Sequence, residues 1–210
     1  MIGVFDSGVG GLGVLAEIRR LLPHSDLIYV ADHDAAPYGV RSLEEVRARA
    51  ETVARWMIEE GCDVVTIACN TASAAALHHL RALHPHVAFV GMEPAMKPAA
   101  TSSRSGVVGV VATSATFQGE LFASVVNRFA RDVEVVTAAC PRWVELVEEG
   151  VTEGPEVLAE VERCLKPMIE AGVDVVVLAC THYPALWKPI TTVLGPGVRL
   201  IDPAPAVARQ

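Results

Sequence analysis

The strongest constraint on this chain is that it resembles itself. Gly61-Cys-Asp-Val-Val-Thr-Ile-Ala-Cys69-Asn-Thr71 lines up with Gly172-Val-Asp-Val-Val-Val-Leu-Ala-Cys180-Thr-His182, 111 residues later, and six of the first nine positions are identical. Gly3-Val-Phe-Asp-Ser7 lines up with Gly109-Val-Val-Ala-Thr113 at the similar offset of 106. Two matches in the same order at nearly the same spacing indicate a duplicated unit. A chain of 210 residues has room for two small domains of that size.

The pattern inside each copy identifies the unit. Ile2–Phe5, Leu27–Ala31, Val64–Ala68 and Ala88–Val90 are short apolar runs, as are Val107–Val111, Val133–Val136 and Val173–Ala179. Strands that are apolar at every position are buried on both faces, which is the mark of a parallel sheet between helical layers. Helical segments separate them. Gly11–Leu22 is stopped by Pro23, and Ser42-Leu-Glu-Glu45 is a capping box opening a helix that Gly61 closes. Thr116–Phe129 and Pro155–Ala171 are the helices of the second copy, with Pro167 expected to kink or shorten the latter. The expected fold is α/β: two similar doubly wound parallel-sheet domains related by a pseudo-twofold, with the active site in the cleft between them. The boundary is expected near Ala95–Ser105, where Glu93–Ser103 is rich in Pro and small polar residues, as a crossover is. It divides residues 1–96 from residues 97–204, and residues 205–210 return to the first domain.

Composition excludes several functions. Seventeen basic against 25 acidic residues leave a net charge of −8, which argues against nucleic acid as the main partner. Mean hydropathy is high at +0.37, yet no apolar run approaches the roughly 18 residues of a membrane span. The apolar excess is therefore buried strand. Met1 leads straight into a strand without a basic leader, so a cytoplasmic location is expected. The five cysteines include no CxxC pair, which suggests neither a zinc knuckle nor a disulfide framework. Cys62, Cys140 and Cys164 are expected to be small core hydrophobes. His78, His79, His84 and His86 lie in a helix end and a loop with no acidic or thiol neighbour among them, a solvated turn and not a metal site.

Cys69 and Cys180 differ from the other three. Each stands at the carboxyl end of a buried parallel strand, where open α/β sheets bind ligands. Each is followed by hydrogen-bonding residues: Asn70, Thr71 and Ser73 after one, Thr181 and His182 after the other. A following helix N-terminus is expected to lower each thiol pKa. Two thiols related by an internal twofold suit a reaction that is itself symmetric, one removing a proton from a planar centre while the other returns it to the opposite face. Asp6, Ser7, Asp32, Thr113 and Thr116 also fall at strand ends, and Glu148 and Glu149 follow Cys140-Pro141 in a helical stretch. Gly8-Val-Gly-Gly-Leu-Gly13 fits the dinucleotide-binding pattern, with Asp32 at the spacing of a ribose-binding acid. Asp6 beside it would repel a pyrophosphate, so a tight turn serving a substrate carboxylate is the competing reading. No cofactor signature stands out, and neither Lys97 nor Lys166 follows a strand end as a Schiff-base lysine would.

Taken together, Asp6-Ser-Gly-Val-Gly-Gly-Leu12, Ala31-Asp32 with Pro37-Tyr-Gly39, Cys69-Asn-Thr-Ala-Ser73, Glu93-Pro-Ala95, Ala139-Cys-Pro141, Cys180-Thr-His-Tyr-Pro184 and Ile201-Asp-Pro-Ala204 resemble glutamate racemase, across nearly the whole chain. Cys-Asn-Thr alone also resembles the wider aspartate and hydantoin racemases. The resemblance implies cofactor-independent interconversion of L- and D-glutamate, supplying D-glutamate for peptidoglycan. It implies Cys69 as the base for the D-enantiomer and Cys180 as the base for the L-enantiomer. Asp6 and His182 would be their polar helpers, with Asp32 and Glu148 in support; adjacent Glu149 leaves that register open. The implied substrate cradle is Asp6, Ser7, Pro37, Tyr38, Gly39, Asn70, Thr71, Thr113, Thr116, Thr181 and His182. A homodimer is the implied assembly, with no metal, no membrane and no direct nucleic-acid contact. Alternatives are an aspartate or other amino-acid racemase, a nicotinamide enzyme built on the glycine loop, and an inactive binding or regulatory protein on this scaffold. Gly13 stands where the family usually has Ser, and Phe122 where Tyr is common. The family usually continues past the Asp-Pro-Ala motif with helix that packs back on the first domain, and Ala206–Gln210 is the expected start of that helix.

Overall fold

The computed structural model describes residues 1–210. The first half runs β1 (Ile2–Asp6), α1 (Leu12–Leu21), β2 (Leu27–Ala31), α2 (Leu43–Glu59), β3 (Val64–Ile67), α3 (Asn70–Leu83) and β4 (Ala88–Gly91). The second runs α4 (Met96–Ser102), β5 (Val107–Ala112), α5 (Ser114–Gln118), α6 (Glu120–Phe129), β6 (Glu134–Ala139), α7 (Pro141–Glu148), α8 (Pro155–Glu170), β7 (Val175–Ala179), α9 (Trp187–Leu194), β8 (Arg199–Ile201) and α10 (Ala204–Arg209). Two four-stranded sheets result, ordered β2-β1-β3-β4 and β6-β5-β7-β8. Every strand pair is parallel. The same order twice is the duplication made structural.

The repeat extends to side-chain packing. A Cβ built on Gly3 of β1 would lie 2.8 Å from the Met57 sulfur, and one on Gly109 of β5 would lie 2.7 Å from the Met168 sulfur. Met57 and Met168 are 111 residues apart, the offset of the cysteine motifs. In both halves a bare strand position lets the crossover helix press its thioether onto the sheet.

Local signals explain the elements. Ser42 caps α2 with the reciprocal Glu45 capping box. Each sheet is covered on both faces. Val46, Ala50, Ala54 and Met57 of α2 and Ala72, Ala76 and Leu80 of α3 pack in one core of the first half. Val14 and Ile18 of α1 pack in another with Ala204 and Val207 of α10. In the second half α7, α8 and α9 build one core, and α4 with α6 the other.

Three expectations change. The helix expected over Thr116–Phe129 is two helices broken at Gly119, where a Cβ would collide with that of Ala74. Pro167 lies inside α8 without ending it. Cys140 and Cys164, expected to be separate core thiols, are joined as a disulfide, with Cα atoms 6.1 Å apart. Cys140 closes the turn from β6 into α7 and Cys164 sits on α8. Only the packing of that helix beside that turn brings the two together, and sequence spacing carries no trace of it. Cys62 is a buried free thiol, as expected.

Candidate active site

The carboxyl ends of β1 and β3 face those of β5 and β7, and the chain places its polar strand-end residues there. Ser7, Tyr38, Gly39, Asn70, Thr71, Thr113, Thr181 and His182 line a cavity with Cys69 and Cys180. Val144 completes the wall. The free volume is about 10 Å³, close to the smallest space that holds a water. The space is therefore too small for an amino acid, and a substrate enters only by opening the cleft.

Several contacts hold it shut. Thr71 Oγ1 lies 2.9 Å from Thr113 Oγ1 and 3.2 Å from Thr116 Oγ1, a triangle of buried hydroxyls across the two halves. Thr181 donates to Asp6 Oδ2 at 3.0 Å. The Val9 N–H donates to Glu148 Oε1 at 2.9 Å. His33 Nδ1 faces Glu148 Oε2 at 3.9 Å across the mouth, which Pro37 also lines.

The two thiols are 5% and 7% exposed. Cys69 caps α3, its sulfur accepting the Ala72 N–H at 3.4 Å, and its thiol meets Ser7 Oγ at 3.8 Å. Burial, with the Asp6 carboxyl next in effect, pushes its pKa up to about 12. Cys180 lies 3.7 Å from His182 Nδ1, and burial holds its pKa well above the usual thiol value. The expected lowering by helix N-termini is thus overturned. The backbone N–H groups do act in that direction at both cysteines, but desolvation outweighs them. At Cys180 the following element is only the 3-10 turn Tyr183–Leu186.

His182 Nε2 meets Glu148 Oε1 at 2.5 Å. When that nitrogen carries the proton and donates it to the carboxylate, Nδ1 presents its lone pair to Cys180. Glu149 instead pairs with Arg142 at the surface, so of the two glutamates it is Glu148 that reaches His182. Asp6 is fully buried and accepts the Gly8 N–H at 2.9 Å besides Thr181. Burial raises its pKa against the pull of His182 and these hydrogen bonds.

Asp32 is placed differently from the expectation of a group beside the chemistry. Its carboxylate accepts the Tyr38 hydroxyl at 2.6 Å and pairs bidentately with Arg49, which holds its pKa down. It fixes Tyr38, which lines the cavity, and does not line it itself. Ser73 also faces away: it donates to the Ile67 carbonyl and accepts the Met92 N–H, tying β3 to the end of β4. Asn70 is the opposite case. Both polar atoms of its side chain are buried without a partner, although it lines the cavity. Leaving such a group unpaired costs about 1–3 kcal/mol, so a ligand with polar atoms is its natural complement.

Some contributors escaped the sequence. Val144 precedes Glu148 by one helical turn, so the same face of α7 supplies both. His33 carries no motif at all, and Val9 lies inside the glycine motif but acts through its backbone N–H, which no side-chain pattern marks.

A narrow cavity between the facing strand ends of two pseudo-equivalent parallel sheets, lined by a thiol from each, defines an α/β enzyme with an inter-domain active site. The Asp/Glu/hydantoin racemase family matches residues 10–210, and the chain belongs to that family. It is 50% identical over 209 residues to the glutamate racemase of Roseiflexus sp. (strain RS-1), covering all of this chain and 77% of that protein. It is 49% identical over 210 residues to that of Pseudomonas aeruginosa, covering 79% of it. Among solved structures, glutamate racemase isoform RacE1 from Bacillus anthracis superposes with a TM-score of 0.92 at 33% identity, covering 100% of this chain and 79% of that one. The Escherichia coli glutamate racemase, in complex with L-glutamate and the activator UDP-MurNAc-ala, superposes with a TM-score of 0.90 at 37% identity, over 99% of this chain and 79% of that one.

Proposed function

We propose that this protein interconverts L- and D-glutamate, supplying the D-enantiomer for peptidoglycan, by proton transfer at Cα between Cys69 and Cys180. The observation that carries the mechanism is the pair of buried thiols, one from each copy of the repeat, on one closed cavity. In the L-to-D direction the Cys180 thiolate takes the Cα proton. The Cys69 thiol then gives its own proton to the opposite face, leaving Cys69 as thiolate. The reverse direction exchanges the roles. His182 and Glu148 accept and hold the Cys180 proton, while Ser7 serves Cys69.

The demand on the site is large, because a Cα–H is a very weak acid and burial raises both thiols. Closing the cleft on a bound amino acid answers both needs. The substrate ammonium favours thiolate nearby, and fixed donors meet the carboxylate as charge develops. Asn70, the threonines 71, 113, 116 and 181, Ser7 and the backbone around Tyr38 and Gly39 are suited to that cradle. Asp6 spans both halves of the site. Residues 1–96 and 97–204 are the two bodies that open, with residues 205–210 riding on the first, a division supported by the packing of α10 on α1. A cytoplasmic location and a homodimer accompany this reading by family resemblance.

Aspartate is the competing substrate, since one methylene is worth only about 1–3 kcal/mol of discrimination. The test is deuterium incorporation at Cα in D₂O with both enantiomers of glutamate and of aspartate. Exchange with glutamate at the higher kcat/KM is expected. No exchange with either amino acid would overturn the reading, and faster exchange with aspartate would reassign the substrate.

A further inference from the structure

The glycine loop of the sequence has an occupant of its own. A Cβ on Gly8 would sit 1.8 Å from Glu148 Oε1. The next N–H, that of Val9, donates to this same oxygen at 2.9 Å, and His182 Nε2 meets it at 2.5 Å. One carboxylate oxygen of the second half therefore holds a backbone group of the first half and the imidazole of its own. Gly10 faces the cleft in the same way: its Cβ would lie 2.5 Å from Thr181 Oγ1 and 2.7 Å from His182 Nδ1. Gly13, the last glycine of the motif, has nothing within 4 Å. Neither Gly8 nor Gly10 has a positive φ, so it is space across the cleft, and not backbone conformation, that excludes a side chain. Glu148 also fills the room above Gly8 that a pyrophosphate would need, and it brings the wrong charge.

We infer that Gly8 and the Val9 N–H form a positioning seat for Glu148, so that closing the cleft and completing the Cys180–His182–Glu148 chain are one event. The inference deepens the racemase reading and rests on it for the role of Cys180. In an open cleft Glu148 loses the Val9 N–H and is free to rotate away from His182. On closure the bare Gly8 admits Oε1 and the Val9 N–H fixes it. The Nε2 proton of His182 then stays donated to Glu148, and Nδ1 stays turned to Cys180. The proton acceptor is thereby organised only after water has been excluded.

The test joins a closure readout to a kinetic one. Iodoacetamide labelling of Cys69 and Cys180, followed by peptide mapping, reports opening without any turnover, and the buried Cys62 reports unfolding. Gly8→Ala should raise labelling of Cys69 and Cys180 by about tenfold, as expected when a minor open state becomes appreciable. Labelling of Cys62 should not change. The same variant should lose about a hundredfold in kcat/KM, the scale of an ångström-sized misplacement. Glu148→Ala should raise labelling similarly, and adding Gly8→Ala to it should change labelling no further, because the three atoms nearest the new methyl all belong to the Glu148 carboxylate, which is gone. Gly13→Ala should match wild type in both assays. The seat is overturned if Gly8→Ala labels at the wild-type rate, if Cys62 labels in step with the other two, or if the two substitutions act independently. Activity lost with labelling unchanged also overturns it, since closure and the Glu148 contact would then be separate. Failure of the racemase reading would show elsewhere, as an inactive wild type.

Discussion

The two half-sites began as copies and no longer match. Cys69 follows β3 and caps the fourteen-residue α3, with a serine hydroxyl as its side-chain neighbour. Cys180 follows β7 and precedes a four-residue 3-10 turn, and its neighbour is an imidazole backed by a carboxylate. Duplication kept the strand end, the thiol and its burial, and changed what stands beside the thiol. In the proposed mechanism one half relies on a neutral hydroxyl and a helix terminus, the other on an ionisable relay. The overall reaction is nonetheless symmetric. Enantiomers have equal free energies, so kcat/KM must be the same in both directions whatever the two halves do. The difference between them shows only in which proton transfer limits each direction.

The most severe way to break the comparison is to remove either thiol. Cys69→Ser and Cys180→Ser should each lose at least about 10³-fold in kcat, within the range for a lost acid or base, as followed by circular dichroism of glutamate. A variant that still racemises at the wild-type rate would make one half dispensable. Next comes the asymmetry itself. His182→Gln should cost about a hundredfold in kcat/KM and increase the isotope effect on kcat/KM with Cα-deuterated L-glutamate. Ser7→Ala should cost about tenfold and increase the effect with the D-enantiomer instead. Equal isotope effects in both variants would erase the proposed division of labour. The pH profile sharpens what the halves share. Burial raises both thiols, Cys69 to about 12, so thiolate becomes more available as pH rises. Below the thiol titrations kcat/KM should climb by up to about tenfold per pH unit, and a profile falling from pH 6 to 8 would contradict it.

The smallest effects lie at the opposite end of the sheets. Asp63 and Asp174, again 111 residues apart, both anchor the start of their half. Asp63 holds the exposed terminal ammonium of Met1 at 3.0 Å. Asp174 accepts hydrogen bonds from the hydroxyls of Ser103 and Ser105 and the N–H groups of Arg104 and Ser105. These bonds hold its pKa at about 2, against the opposing effect of desolvation. A depressed carboxylate stabilises the fold above its unfolded value and loses that contribution as pH falls from about 4 to 2. Asp174→Ala should therefore lower stability at neutral pH by about 1 kcal/mol and flatten the acid limb of the melting curve. Asp63→Ala should leave the melting temperature nearly unchanged, because an exposed pair is screened by solvent.

Much of this was legible in the residues. The all-apolar strands, the capping box at Ser42 and the repeated Asp-Val-Val…Ala-Cys motif are local patterns with local physical causes, and they led to two parallel sheets with a thiol at matching strand ends. The motif residues Ser7, Tyr38, Asn70, Thr71, Thr113, Thr181 and His182 do line the cavity. Asp32 was harder, because a strand-end aspartate looks the same whether it faces a substrate or buttresses a tyrosine; only Arg49, arriving from α2, distinguishes the two. The Cys140–Cys164 pairing and the part of His33 at the mouth depend on which helix lies beside which turn, and no spacing encodes that.

The sequence by itself determined the repeat, the layers and the chemical inventory, because periodicity, capping and strand burial act between neighbours along the chain. The tertiary structure alone decided that the glycine loop receives a carboxylate and no phosphate, that Glu148 and not Glu149 reaches His182, and that burial lifts both thiols despite their helix and turn termini. Each of those outcomes depends on how much space and solvent remain between two halves that meet only after folding.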